Sequence, residues 1–135
     1  MTDLAADLRR AIRGEVRFDT GSRALYATDA SNYRQVPIGV VVPRDEDDVR
    51  AMMAVCRSFG APILARGSGT SLAGQSCNAA VVLDFTKYMN RILEVDIEKR
   101  IARVQPGVIL DTLRARAERC QHPPSTHACG TCRAR

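Results

Sequence analysis

Tryptophan is absent from this 135-residue chain, and only three Tyr and three Phe supply aromatic rings. So few rings, with no basic stripe between them, provide neither a base-stacking platform nor a groove tracking phosphates, so no nucleic-acid partner is expected. Histidine is missing from residues 1–119; both copies fall near the end, at His122 and His127. That excludes a Ser/His/Asp or Cys/His set from the body of the chain, and no catalytic residue is nominated. No apolar run approaches the roughly 18 residues that a membrane span requires. The N-terminus mixes acidic and basic residues without an apolar signal core, so a cytoplasmic protein is the default expectation.

Charge is also scarce where it would matter. The formal net charge is +5, but residues 114–135 hold five Arg against one Glu, whereas residues 1–113 hold 15 Lys or Arg against 14 Asp or Glu. The body is close to neutral and the excess lies in the tail. Cysteine is present five times, an odd number, and Cys56 and Cys77 read as buried or free thiols of a reducing compartment.

Against these absences stands one dense stretch, Arg66-Gly67-Ser68-Gly69-Thr70-Ser71-Leu72-Ala73-Gly74, with three glycines in eight residues. Apolar Pro62-Ile63-Leu64-Ala65 precedes it and Ala79-Ala80-Val81-Val82-Leu83-Asp84 follows; both read as buried strands. A glycine-rich loop between strand ends can turn successive N–H groups toward phosphate oxygens, with Gly where φ is positive or a Cβ would obstruct. Ser68, Thr70 and Ser71 add hydroxyls, and Arg66 offers charge. An ordinary Gly/Ser turn is the competing reading of the loop alone. No Gly-Lys-Ser/Thr ends the loop and no helix pattern follows directly, so it is neither a Walker loop nor the dinucleotide fingerprint.

Upstream, Gly39-Val40-Val41-Val42-Pro43 reads as a strand ending at proline. Acidic Asp45, Glu46, Asp47 and Asp48 then open a helix over 45–59, where the helix dipole accounts for them without a metal. Val49, Met52, Met53, Cys56 and Phe59 follow at helical spacing, and Gly60 ends it. Strand-Pro, acidic helix start, amphipathic helix, strand and R-G-S-G-T-S-L-A-G together closely resemble the FAD-binding (PCMH-type, vanillyl-alcohol-oxidase-like) domain of FAD-linked oxidases. The likeness continues through Val81–Ile92 and Val104-Gln105-Pro106-Gly107-Val108. Tyr26-Ala27-Thr28-Asp29-Ala30-Ser31-Asn32-Tyr33 is similar to the start of flavin-dependent D-2-hydroxyacid dehydrogenases, above all those fused to iron–sulfur modules.

The resemblance covers roughly residues 1–119 and implies FAD as cofactor. It implies cofactor-side roles for Pro43, Arg66, Gly67, Ser68, Gly69, Thr70, Ser71 and Gly74, with Asp84, Pro106 and Gly107 as weaker neighbours. It also implies a 2-hydroxy acid substrate, met only in a longer enzyme: the family's second flavin loop, later strands and substrate domain have no counterpart here. The expected chain is therefore the N-terminal portion of the domain, truncated and inactive alone, or a binding module that a partner chain completes, or a non-functional fragment.

The remaining elements fill in an α+β order. Thr2 can cap a first helix with Leu4, Leu8, Ala11 and Ile12 on one face and Gly14 past its end. Glu15-Val16-Arg17-Phe18 is a short strand candidate. Residues 19–35 look irregular, with packing favoured over ligand contact for Tyr26 and Tyr33. A hairpin spans 91–104, with Ile92, Val95, Ile101 and Val104 expected to be buried. Val108–Glu118 reads as a helix with Val108, Ile109, Leu113 and Ala117 along one side. From Cys120 onward the pattern C-x-H…H-x-C-x-x-C has zinc-ligand residue types, but tight spacing, two prolines and no apolar anchor favour a metal-free disordered tail over 120–135.

Overall fold

Two runs of β-branched residues form the centre of the molecule because both of their faces are covered. The computed structural model describes residues 2–121. In order these form α1 (Thr2–Ala11), β1 (Glu15–Arg17), α2 (Thr20–Leu25), β2 (Gly39–Val42), α3 (Glu46–Ser58), β3 (Ile63–Arg66), β4 (Val81–Asp84), β5 (Ile92–Asp96), β6 (Ile101–Val104) and α4 (Leu110–Gln121). The fold is α+β. Its main sheet runs β1-β2-β4-β3, with β2, β4 and β3 parallel and β1 antiparallel at the edge. β2 and β4 are buried along their whole length, which is why they read as unbroken apolar runs.

Strand periodicity sorts the side chains onto two faces. Val41, Val81 and Leu83 meet Leu4, Leu8 and Ile12 of the first helical segment and Met52 and Cys56 of α3, the larger core. Val40, Val42 and Val82 face the other way, under Tyr26, Leu64 and Tyr88. In α1 the buried positions are Leu4, Ala5 and Leu8, with Ile12 just beyond, while Ala11 faces solvent. α3 begins as its acidic start predicts: the Asp45 carboxylate accepts from the N–H groups of Asp47 and Asp48, both at 3.1 Å. Buried Asp48 accepts from Arg13 N at 3.0 Å and Arg44 N at 2.9 Å, joining the ends of α1 and β2 to α3.

Several expectations need correction. The Pro62–Ala65 stretch is an edge strand, not a buried one: Pro62, Ile63 and Ala65 are exposed. Of the α3 stripe, Met52 and Cys56 are fully buried but Met53 and Phe59 are exposed, because only one helical face meets the sheet. Asp19 accepts from Ser22 N at 2.8 Å and caps α2, a helix within a segment read as irregular. The hairpin forms as β5 and β6, but Ile101 and Val104 are exposed, and α4 starts at Leu110 with Ile109 and Leu110 in solvent. No helix among the described residues is long and apolar enough to cross a membrane. The tail expected to be disordered from 120 instead begins inside α4, which includes Cys120 and Gln121; the rest of the zinc pattern and of the tail, from His122 onward, lies outside the described residues.

Candidate functional site

All three parallel strands of the main sheet point their carboxyl ends the same way, and β3 ends in the glycine loop. Arg66 pairs with Asp84 across β3 and β4. Continuing the β2–β4 register by two residues from Val41↔Leu83 places Pro43 opposite Phe85. Pro43, the 66–74 loop and Asp84 therefore share the carboxyl edge of the sheet, where open parallel sheets place ligands. Gly107 packs on Phe85, the residue after Asp84, whose own N–H donates to Arg66 O at 3.2 Å. Gly107 N donates to Met89 O at 2.9 Å, and a Cβ at 107 would fall well inside contact distance of the Phe85 carbonyl, so this glycine answers a packing demand.

The loop has to leave β3, turn, and return to the start of β4 without a helix. Gly69 and Gly74 adopt φ of +71° and +77°, conformations that L side chains rarely take. Gly67 has open space around its Cβ position, so its lack of a side chain leaves that stretch of backbone approachable. At Gly69 a Cβ would strike the Arg66 guanidinium, and at Gly74 it would lie 2.8 Å from the Tyr33 ring. Ser71 Oγ accepts from Gln75 N at 3.2 Å and bonds the Gln75 side-chain oxygen, which closes the loop on itself. Ser68 and Thr70 are exposed. Among the described residues, none accepts from the main-chain N–H groups of Ser68, Gly69, Thr70, Ser71 or Leu72. Five successive main-chain donors without a partner, with Gly69 at positive φ among them, are available to an anionic ligand.

Behind the loop lies a support that sequence reading did not assemble. Arg66 Nη1 donates to Ser76 O at 3.0 Å and Nη2 to Thr28 O at 2.9 Å, with the guanidinium 5.3 Å from the Tyr26 ring centroid. Tyr26 Oη donates to Asp84 Oδ2 at 2.5 Å, and Asp84 Oδ1 accepts from Thr86 N and Oγ1. Burial, reinforced by the Asp84 carboxylate, pushes the Tyr26 phenol up to about 12, so it keeps its proton and remains a donor. Asp29 Oδ2 accepts from Ser76 N at 3.2 Å, and Ala30 N donates to Gly69 O at 3.0 Å. Hydrogen bonds from Ser31, then from the Ser31 and Ser76 main chain, lower the Asp29 carboxyl. Burial, with Asp29 nearby, raises the Cys77 thiol and disfavours a reactive thiolate. These groups hold a loop in place, and the raised Cys77 thiol stays protonated beside Asp29. The signal for Asp29 was its place in an Asp-x-Ser turn, which predicts a local bond but not the reach to Ser76.

The FAD binding domain family matches residues 37–132. The chain belongs to that family. It is 42% identical over 110 residues to the glycolate oxidase subunit GlcD of Bacillus subtilis (strain 168), covering 77% of this chain and 23% of that protein. It is 39% identical over 106 residues to a D-2-hydroxyglutarate dehydrogenase of Pseudomonas putida, covering 76% of this chain and 10% of that one. The chain thus spans about a quarter or less of these relatives. The solved structure of p-cresol methylhydroxylase superposes with a TM-score of 0.73 over 90% of this chain and 25% of its own, at 20% identity, a likeness of fold.

Proposed function

We propose that this chain supplies the pyrophosphate-binding part of the FAD site in a flavin-dependent oxidoreductase acting on a 2-hydroxy acid, and that by itself it is inactive. The observation that carries the reading is the run of main-chain donors at Ser68–Leu72, set at the carboxyl edge of a parallel sheet in a FAD binding domain. Bound FAD would supply the acceptor for substrate electrons. This chain's residues would bind and orient it: the loop N–H groups and the Ser68 and Thr70 hydroxyls would meet the diphosphate, while the pairing of β3 with β4 fixes the base of the loop. The substrate class is suggested by the glycolate oxidase subunit and the D-2-hydroxyglutarate dehydrogenase to which the chain is similar.

A ligand of this size is usually enclosed over about 70–90% of its surface. One loop and its neighbours cover far less, so FAD held by this chain alone is expected to be weakly retained. A second reading, completion by a partner chain, is favoured by the outer edge of β3, which pairs with no strand among the described residues, and by exposed Ile101, Ile109 and Leu110. The experiment has two parts. Gly69→Val, which adds bulk at a positive φ against Arg66, should abolish flavin binding and leave helical signal intact; retention of parental FAD affinity overturns the loop assignment. Dye reduction by the 135-residue chain, supplied with FAD and D-lactate, glycolate or 2-hydroxyglutarate, should be nil; turnover on any of them overturns the reading that this chain is inactive by itself.

A further inference from the structure

The arginine that opens the glycine loop turns its charge into the protein. Nη1 bonds the Ser76 carbonyl at 3.0 Å and reaches the Tyr26 carbonyl at 3.5 Å, while Nη2 bonds the Thr28 carbonyl at 2.9 Å. Ser76, at the loop's exit, is also held from its other side, since its N–H donates to Asp29 Oδ2 at 3.2 Å. Asp29 is in turn fixed by Ser31, whose N–H donates to Oδ1 at 2.9 Å. One residue's N–H and C=O are thus held by an anion and a cation from two different segments. Ala30 N, the next amide along, donates to Gly69 O at 3.0 Å in mid-loop.

We infer that Arg66 and Asp29 are positioning residues that clamp the exit of the loop at Ser76 and so aim the Ser68–Leu72 N–H groups, and that Arg66 is not the charge that meets the ligand. The inference rests on the diphosphate reading of the loop. Its chemistry favours arginine for a definite reason: a planar fork bridges Ser76 and Thr28 at once, whereas a lysine ammonium is a single point donor on a flexible stem. A carboxylate at 29 accepts at both oxygens, Oδ1 from Ser31 and Oδ2 from Ser76; an amide would keep only one acceptor.

The test titrates the full 135-residue chain with inorganic pyrophosphate and with ADP at several salt concentrations. Arg66→Lys and Asp29→Asn should each weaken binding by about ten-fold or more, as expected for losing a charge-assisted bond. Both should leave the salt dependence of affinity as it is in the parent, and the double variant should be little worse than the weaker single one, because one clamp is broken either way. Arg66→Lys that retains parental affinity, with Arg66→Gln flattening the salt dependence, would mean a direct ion pair and overturns the inference. So does Asp29→Asn with unchanged affinity. Failure of the parent to bind either probe removes the diphosphate reading, and amide exchange of the ligand-free chain then decides the clamp. Faster exchange at Ser76 and Ala30 in both variants, with Val41 and Val82 unchanged, supports it; parental exchange at Ser76 and Ala30 sinks it.

Discussion

The sheet with its two long helices and the arm formed by β5, β6 and α4 are made from similar residues and have opposite fates. β2 and β4 are buried at every position, whereas every residue of β6 is exposed, including Ile101. Both regions pair their strands through backbone hydrogen bonds. What separates them is a second layer. α1 and α3 cover one face of the main sheet, and Tyr26 and Tyr88 help to cover the other; in the arm α4 contacts β5, and β6 stays exposed. Pairing strands makes an element, but burial against a second layer supplies the apolar stabilisation.

The largest effect should come from removing the layer where it exists. Leu8 is fully buried between α1 and the sheet. Leu8→Ala should cost about 2–5 kcal/mol in urea unfolding, because the site cannot fully collapse around the cavity. A cost near zero would mean that the helix does not seal the core. Next comes Asp48→Ala, which strands the Arg13 and Arg44 N–H groups at the junction of α1, β2 and α3. Hydrogen bonds to a charged group contribute roughly 1.5–3 kcal/mol, and water can replace part of that at these part-buried N–H groups, so the same unfolding measurement should show a smaller but definite loss.

Gly107→Ala tests the joint between the two regions. The new Cβ would run into the Phe85 carbonyl, so the arm should detach while the sheet stays folded. Amide exchange should rise at β5 and β6 and stay slow in β2 and β4; equal acceleration everywhere would show that the two regions unfold together. Acid titration probes the body's polar edge. Hydrogen bonds from Lys87, Arg17 and Tyr88 lower the Glu15 carboxyl from 4.5 to about 2. A depressed folded-state value stabilises above the unfolded one, so this contribution is complete above about pH 4.5 and is lost as pH falls toward 2. Glu15→Gln should flatten stability across that window; an unchanged slope would show that the carboxylate is free in solution. The smallest effect belongs to the arm itself: Ile101→Ser should change unfolding by no more than about 0.5 kcal/mol, and a larger loss would reveal a cover for the hairpin.

Much of this molecule is local and therefore legible without coordinates. Apolar runs at 40–42 and 81–83 name the central strands. An aspartate before an acidic first turn names the start of α3, and glycines at 69 and 74 mark where the chain must take positive φ. Each of these depends on one residue's backbone preference or on a short periodic pattern. Tertiary structure decided the rest, because periodicity shows which side chains share a face and not whether anything covers it. So Met53 and Phe59 fell on the open side of α3, and Ile101 on a bare hairpin. Nor does a motif show where a long side chain reaches: Arg66 turns inward because carbonyls of Thr28 and Ser76, 38 and 10 residues distant, converge on it. Those meetings exist only once β4 has inserted between β2 and β3 and carried the loop back against the 26–31 segment.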